Sequence, residues 1–348
     1  MNLSKNKHYL IIGTLFAIAT GVLFLTGTKQ NKLRDPVPGS CTIFSAAIGD
    51  KVLFGNNEDF YKPKTYLWTD PATDSNYSSV YLGFKDYSHQ GGINEKGLCF
   101  DANALSKSRI NLHEELDAPP TYAPPYEDFE MWIPVLILRK AATVEEAIEL
   151  AKKYRRSNWY PKSGKIAYQL NFADAAGGAV VISVDKNGEL AFTRKEKGEN
   201  FLISTNFNKA NTDNALEYPC KRYHTTEKAL QEITSQDELT VEAFKSILES
   251  VHEKGIFNTT LYSNIFDLKN GVIYLYHWHQ YDEVVVLKVD EELAKGRTMI
   301  RIEDLFSEGT GKKASTAYTG AIFLWTVVIL AATALTISGF HQLRNRRL

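Results

Sequence analysis

The chain has 348 residues, a formal net charge of -1 and a pI near 6.7. That balance excludes partners held by massed positive charge, because neutralising a nucleic-acid backbone takes clustered Lys and Arg. Three cysteines, Cys41, Cys99 and Cys220, form no disulfide framework and lack metal-ligand spacing; if Cys41 serves chemistry, only Cys99 and Cys220 are left to pair.

The first element is an uncharged stretch from Tyr9 to Thr28, preceded by Lys5 and Lys7, with the length of a bilayer span. It reads as a signal anchor or a long signal peptide. Pro36, Pro38 and Gly39 then mark a linker over residues 29–40, where the backbone is open to a protease or to the chain itself.

Next comes GSCTIFSAAIGDKVLFGNNEDF, Gly39 to Phe60. Two apolar runs flank a Gly49/Asp50 turn, which predicts a hairpin with Cys41 at one end and the cluster Asn56, Asn57, Glu58 and Asp59 at the other. A cut before Cys41 would give one residue both a thiol and a free α-amine. An amine with a pKa of about 7.7 to 8.0 is matched to take a proton from a thiol near 8.5. Asp59 is placed to hold that amine.

Further strands are predicted at Val80–Phe84, Gly97–Ala102, Ala167–Ala173, Ala179–Val184, Glu189–Thr193 and Phe201–Thr205, and later at Leu261–Phe266, Val272–His277 and Glu283–Val289. Helices are predicted over Tyr126–Ala141, from the Thr143/Glu146 capping box to about Tyr154, and over Tyr218–Ile233 and Thr240–Lys254. Strands and helices in separate groups predict an α+β fold of antiparallel sheets with helices packed on them. The Pro-rich stretch Ser106–Tyr126 reads as a long loop bordering a site, and the aromatic-rich run Leu112–Trp132 as the wall of an acyl or aryl pocket.

His277 and His279, two apart on an expected strand, would face one way and offer two metal ligands. No HExxH-like spacing supports a metal, so neither a metal nor a cofactor is expected. A second uncharged run, Ala317 to Phe340, ends in HQLRNRRL; its length predicts a transmembrane helix, and Arg344, Arg346 and Arg347 predict a cytoplasmic tail.

CTIFSAAIGDKVLFGNNEDF resembles the start of the mature chain in choloylglycine hydrolases, penicillin V acylases and the related isopenicillin N acyltransferase and acid ceramidase-like enzymes, which are N-terminal-nucleophile amide hydrolases. The resemblance extends through GGINEKGLCFDANAL (Gly91–Leu105), NFADAAGGAVVISV (Asn171–Val184), FLISTNF (Phe201–Phe207), YPCKRY (Tyr218–Tyr223) and TLYSNIFDLKNGVIYLYHWHQYDEVVVL (Thr260–Leu287). It implies a four-layer αββα sandwich and a small-molecule N-acyl amide as substrate. Carried onto this sequence, it makes Cys41 the nucleophile, freed by cleavage after Ser40, and Asp59 its partner. Asn103 and Asn206 would be oxyanion donors, and Arg222 would orient the site. One position departs: where choloylglycine hydrolases carry arginine in GRNxD, this chain has Asn56 in GNNED. A guanidinium that would favour thiolate is missing.

The organisation expected is therefore a signal anchor or propeptide over 1–40 with a transmembrane segment at 9–28, and a catalytic domain over 41–300. A juxtamembrane linker over 301–316, a transmembrane helix over 317–340 and a basic tail over 341–348 would follow. The domain would face outward from the plasma membrane, held by the C-terminal helix and, if retained, the N-terminal one. An acyltransferase using the same nucleophile, or an ectodomain that binds without turnover, are the alternatives.

Overall fold

The computed structural model describes residues 41–344, apart from 62–63, 86, 123–129, 156–163, 197, 213–219 and 256–257. The first strands are β1 (Thr42–Ile48) and β2 (Lys51–Phe60), joined at Gly49, whose φ of 58° suits a residue without a Cβ. They are followed by β3 (Thr65–Asp70), β4 (Ser79–Phe84), β5 (Ser88–Asn94) and β6 (Cys99–Arg109). After α1 (Ile133–Lys140) and α2 (Val144–Lys153) come β7 (Lys165–Ala173), β8 (Ala179–Val184), β9 (Leu190–Arg194) and β10 (Phe201–Ser204). Then follow α3 (Lys221–Gln231), α4 (Val241–Ser250), β11 (Thr259–Asp267), β12 (Val272–His277), β13 (Gln280–Lys288), α5 (Val289–Ala294), β14 (Met299–Arg301) and α6 (Glu308–Arg344).

These strands form two antiparallel sheets, one of six strands in the order β10-β1-β2-β11-β12-β13 and one of eight in the order β14-β3-β4-β5-β6-β7-β8-β9. Period-two alternation gives each sheet two apolar faces. Ile43, Phe54 and Phe266 of the first sheet meet Leu67, Val80, Leu82 and Val181 of the second in one buried cluster. On the other face of the six-stranded sheet, Phe44 and Leu53 pack on Phe244 and Leu248 of α4, with the Phe44 and Phe244 rings 4.8 Å apart. Trp68, Tyr81, Phe100 and Phe172 of the eight-stranded sheet are covered by Leu136 and Leu138 of α1 and Ala147 and Ile148 of α2. The result is the expected α+β arrangement, two stacked sheets with helices outside.

Local signals act where the sequence placed them. Thr143 accepts from the Glu146 backbone N–H at 3.2 Å, starting α2, while the Glu146 carboxylate accepts from Ala142 N rather than from the cap itself. Three strands, β3, β5 and β14, were not expected, and β6 runs seven residues past the predicted end at Ala102 to Arg109. Of the Ser106–Tyr126 stretch, Tyr122 is buried against the outer face of the eight-stranded sheet. Residues 110–113, 115 and 116 line a cavity of about 230 Å³ with Tyr154, Arg155 and Glu189. None of these belongs to the hydrogen-bond network of Cys41.

Of the described residues, those up to Ser315 form one compact unit, which ends within α6. Residues 301–316, expected as a linker, hold the end of β14, a 3-10 turn and the start of α6, and Ile302 and Phe306 are buried in the core between the sheets. The apolar run Ala317–Phe340 lies within α6, which is helical for 37 residues. Among the described residues, however, no helix is long and apolar enough to cross a membrane, so the expected span finds no support there. The run from Tyr9 to Thr28 lies outside the described residues.

Candidate active site

Strand register brings the site together. Thr42 pairs with Asn57 on β2, and Ile43 pairs with Ser204 on β10. The residues just beyond those partners, Glu58 and Asp59 on one side and Thr205 and Asn206 on the other, therefore flank Cys41 at the start of β1. Across the gap between the sheets, β6 supplies Asp101 and Asn103, and the first turn of α3 supplies Arg222. All five residues singled out from the sequence fall in this one network.

Cys41 is 4% exposed, and its Sγ lies 3.7 Å from Glu58 Oε2. Its carbonyl oxygen accepts from Asn103 Nδ2 at 3.2 Å and from Arg222 Nη1 at 2.9 Å. Arg222 also donates to Thr42 Oγ1 at 2.6 Å and to Asn206 Oδ1 at 3.0 Å, and its Nε lies 3.3 Å from Glu253 Oε1. This guanidinium is not a surface partner for a loose carboxylate. It ties the start of β1 to the loop after β10.

Asn103 is held by its own carbonyl, which accepts from Asn171 Nδ2 at 3.1 Å and from the Ser204 hydroxyl. Gln169 braces the same corner, with Nε2 2.8 Å from Ser204 Oγ and 2.7 Å from the Thr205 carbonyl. Asn206 Nδ2 donates to the Ala104 carbonyl at 2.8 Å. Each amide nitrogen carries a second hydrogen, so both asparagines keep donor capacity beyond the bonds they make here.

The electrostatics are dominated by buried carboxyls. Burial pushes the Cys41 thiol well above its usual range, and Glu58, Asp59 and Asp101 push it further; the backbone of Asp59 opposes them. Glu58 is raised by burial, then by Asp101 and Asp59, and Asp101 by burial. For Asp59, burial outweighs the Arg222 cation and the Thr260 hydroxyl, 2.5 Å from Oδ1, and lifts the carboxyl from 3.8 to about 8. A thiol in such surroundings stays protonated until a base takes its proton.

Glu58 and Asp101 were not singled out as site residues. Glu58 was legible in part, since strict alternation puts it on the inward face of β2 with Val52, Phe54 and Asn56. Its approach to Asp101 joins two sheets and has no local signal.

The histidine pair does not form a metal site. Trp278 and His279 have φ of 52° and 44°, making the turn between β12 and β13 rather than a strand, so the two imidazoles do not share a face. His277 is buried against Phe306 and lowered to about 4 by burial, while His279 stacks on His252 with ring centroids 5.5 Å apart. Among the described residues no group of His, Cys, Asp and Glu could hold a metal ion. Cys99 and Cys220 do not pair: all three cysteines are free, Cys99 in the core between the sheets and Cys220 at the start of α3.

Comparison with known proteins follows the same lines. The profile of the acyl-coenzyme A:6-aminopenicillanic acid acyl-transferase family matches residues 131–280, a segment that contains Asn206 and Arg222. Penicillin V acylase from Agrobacterium tumefaciens has a similar structure, with a TM-score of 0.54, 16% identity, and coverage of 75% of this chain and 91% of that one. An arginine-to-leucine variant of the conjugated bile acid hydrolase from Clostridium perfringens matches with a TM-score of 0.50, 15% identity, and coverage of 75% of this chain and 96% of that one. A comparison with curated proteins returns no match. Over residues 131–280 the chain is thus similar to that acyl-transferase family, and its fold is the one shared with these two solved structures.

Proposed function

We propose that the protein is a cysteine-nucleophile amidohydrolase that cleaves the linear, non-peptide C–N amide bond of a small N-acyl substrate after the chain is cut before Cys41. The observation that carries this reading is the meeting of Cys41, Asp59, Asn103, Asn206 and Arg222 at the start of one central strand, drawn from β2, β6, the loop after β10 and α3. The new α-amine, held by Asp59, takes the Cys41 proton, and the sulfur attacks the substrate carbonyl. The spare amide hydrogens of Asn103 and Asn206 stabilise the oxyanion as it develops. Arg222 fixes Cys41 and Asn206 relative to each other. The protonated amine then gives its proton to the leaving nitrogen, and water resolves the thioester.

An acyltransferase remains the second reading, favoured by the family profile, whose name describes acyl transfer to an amine. Here a second amine, rather than water, attacks the thioester. A membrane anchor at the plasma membrane, with residues 41–300 on its extracytoplasmic face, belongs to the same proposal. Supporting it, α6 carries Ile322, Phe323, Leu324, Val327, Val328 and Leu330 exposed, and three arginines follow the apolar run.

Mass spectrometry of the mature chain should find Cys41 at its N-terminus, and a panel of N-acyl amides should be turned over by the native protein but not by Cys41→Ala. An intact Ser40–Cys41 bond in an active preparation would refute the amine as base. Product analysis with added acceptor amines separates transfer from hydrolysis.

A further inference from the structure

The hydrogen bonds around Asn103 run in one direction, and that direction is set by groups that do not touch Cys41. Gln169 is the cross-strand partner of Asn103 on β7, and Asn171, on the same face, is the partner of Asp101. Gln169, Asn171 and Ser204 are all buried. The Gln169 amide can sit only one way round. Its Oε1 accepts from the backbone N–H of Lys209 at 3.0 Å, and its Nε2 faces the carbonyls of Thr205 at 2.7 Å and Phe207 at 2.9 Å. A backbone N–H never accepts and a carbonyl never donates, so those three groups fix which end of the side chain is nitrogen.

That orientation is passed on. Nε2 also donates to Ser204 Oγ at 2.8 Å, so the hydroxyl accepts there and directs its single hydrogen elsewhere. The Asn103 side-chain oxygen receives it. Asn171 Nδ2, 3.1 Å from the same oxygen, is a second donor. With two donors at one end of the Asn103 amide, only the other end, Nδ2, can face the Cys41 carbonyl, 3.2 Å away. A half-turn of that amide would set donors against donors at one end and oxygen against oxygen at the other, leaving buried groups unpaired at both. Gln169 acts on Asn206 as well. The two carbonyls it grips belong to the residues immediately before and after Asn206, whose own Nδ2 is held at the Ala104 carbonyl at 2.8 Å.

We infer that Gln169, Ser204 and Asn171 are positioning residues for formation of the Cys41 thioester. The directed chain from Gln169 through Ser204 to Asn103, with Asn171 as the second donor, keeps an Asn103 N–H turned toward the oxyanion. The grip of Gln169 on Thr205 and Phe207 keeps Asn206 in place beside it. The inference rests on the roles proposed above for Cys41, Asn103 and Asn206.

The test compares two reactions of one sulfur in the full-length protein. In acylation by 4-nitrophenyl acetate, the Cys41 sulfur bonds to the acetyl carbon, the thiol proton goes to the base, and 4-nitrophenolate leaves with the electron pair of its C–O bond after the carbonyl has passed through an oxyanion. In alkylation by iodoacetamide, the sulfur displaces iodide and no oxyanion forms. Both products are followed at Cys41 by mass spectrometry, with Cys41→Ala as control. The ratio of the two rates separates oxyanion stabilisation from access to the thiol and its ionisation. Ser204→Ala removes one oxygen and leaves Gln169 its two carbonyls; it should lower the ratio about tenfold, the scale of one buried hydrogen bond. Asn103→Ala should lower it about a hundredfold. Because Ser204 acts through Asn103, the double variant should fall no further than Asn103→Ala alone. Should circular dichroism show Ser204→Ala to be unfolded, Asn171→Leu, which deletes the other donor to the Asn103 oxygen, carries the same comparison. A native ratio in the single variant, equal losses in both reactions, or losses that multiply to about a thousandfold in the double variant would each overturn the positioning role. A Cys41 that forms no thioester overturns the nucleophile and the positioning role together, whereas a thioester formed with multiplying losses overturns the positioning role alone.

Discussion

Replacing Arg222 by methionine keeps the length of the stem and removes every polar contact of the guanidinium. Three bonds disappear, to Cys41 O at 2.9 Å, Thr42 Oγ1 at 2.6 Å and Asn206 Oδ1 at 3.0 Å, together with the ion pair to Glu253. The Cys41 carbonyl keeps its bond from Asn103, and Glu253, at 36% exposure, can be solvated. Asn206 Oδ1 is left unpaired, and the buried Asp59 loses the cation that holds its pKa down. One orphaned buried acceptor and one broken charge contact in a mostly desolvated setting give a loss of about 3 kcal/mol in folding free energy. Urea unfolding of the full chain, followed by tryptophan fluorescence, measures it. Because Arg222 also fixes Asn206 relative to Cys41, kcat/KM should drop by about a hundredfold, the scale of losing one oxyanion donor. Arg222→Lys, with a single ammonium in place of a planar fork, should recover the charge but not the geometry, and so stability more than rate. A methionine variant with native stability and native rate would refute the view that this guanidinium organises the site.

The pH dependence of stability follows from the buried acids. Asp59 titrates at about 8 in the fold against 3.8 for the free group, so the folded chain binds the extra proton between those values, and stability should be full near pH 4 and fall as pH rises through 8. Glu58 and Asp101 shift in the same direction and steepen that fall; a melting temperature that rises from pH 5 to 8 would contradict it. Gly91→Ala would put a Cβ 2.3 Å from Asp101 Oδ2 and 3.1 Å from the Phe100 carbonyl, so it should displace Asp101 and destabilise by about 2 kcal/mol in denaturant unfolding. Phe244→Ala, which empties the contact with Phe44, should cost about 3 to 5 kcal/mol in denaturant unfolding. Thr143→Ala removes the cap of α2 and should cost about 1 kcal/mol with no change in KM, because α2 lies outside the Cys41 network.

Much of this arrangement was legible from short-range pattern. The β1–β2 hairpin, β8 and β12 are written as alternation bounded by turns, and Thr143 announces α2. The residues Cys41, Asp59, Asn103, Asn206 and Arg222 came from motifs in fixed order, and the register of β1 with β2 and β10 explains why that order converges. What escaped notice depends on partners distant in sequence. Strand β5, SHQGGIN, carries two glycines and little apolar alternation; it is a strand because β4 and β6 enclose it, and because Gly91 leaves space for Asp101. His277 and His279 looked like one strand face until the turn at Trp278 split them. The meeting of Glu58 with Asp101 exists only once the two sheets are stacked.

Pairing along the central strand starts at Thr42, one position after the sulfur-bearing residue, and continues on both edges through Ala46. Scission on the amino side of Cys41 would thus sever none of the ladder bonds described for β1. Maturation, as proposed, would leave those ladders intact and change the chemical state of Cys41, so precursor and product should share the same two-sheet frame and differ in reactivity at that residue.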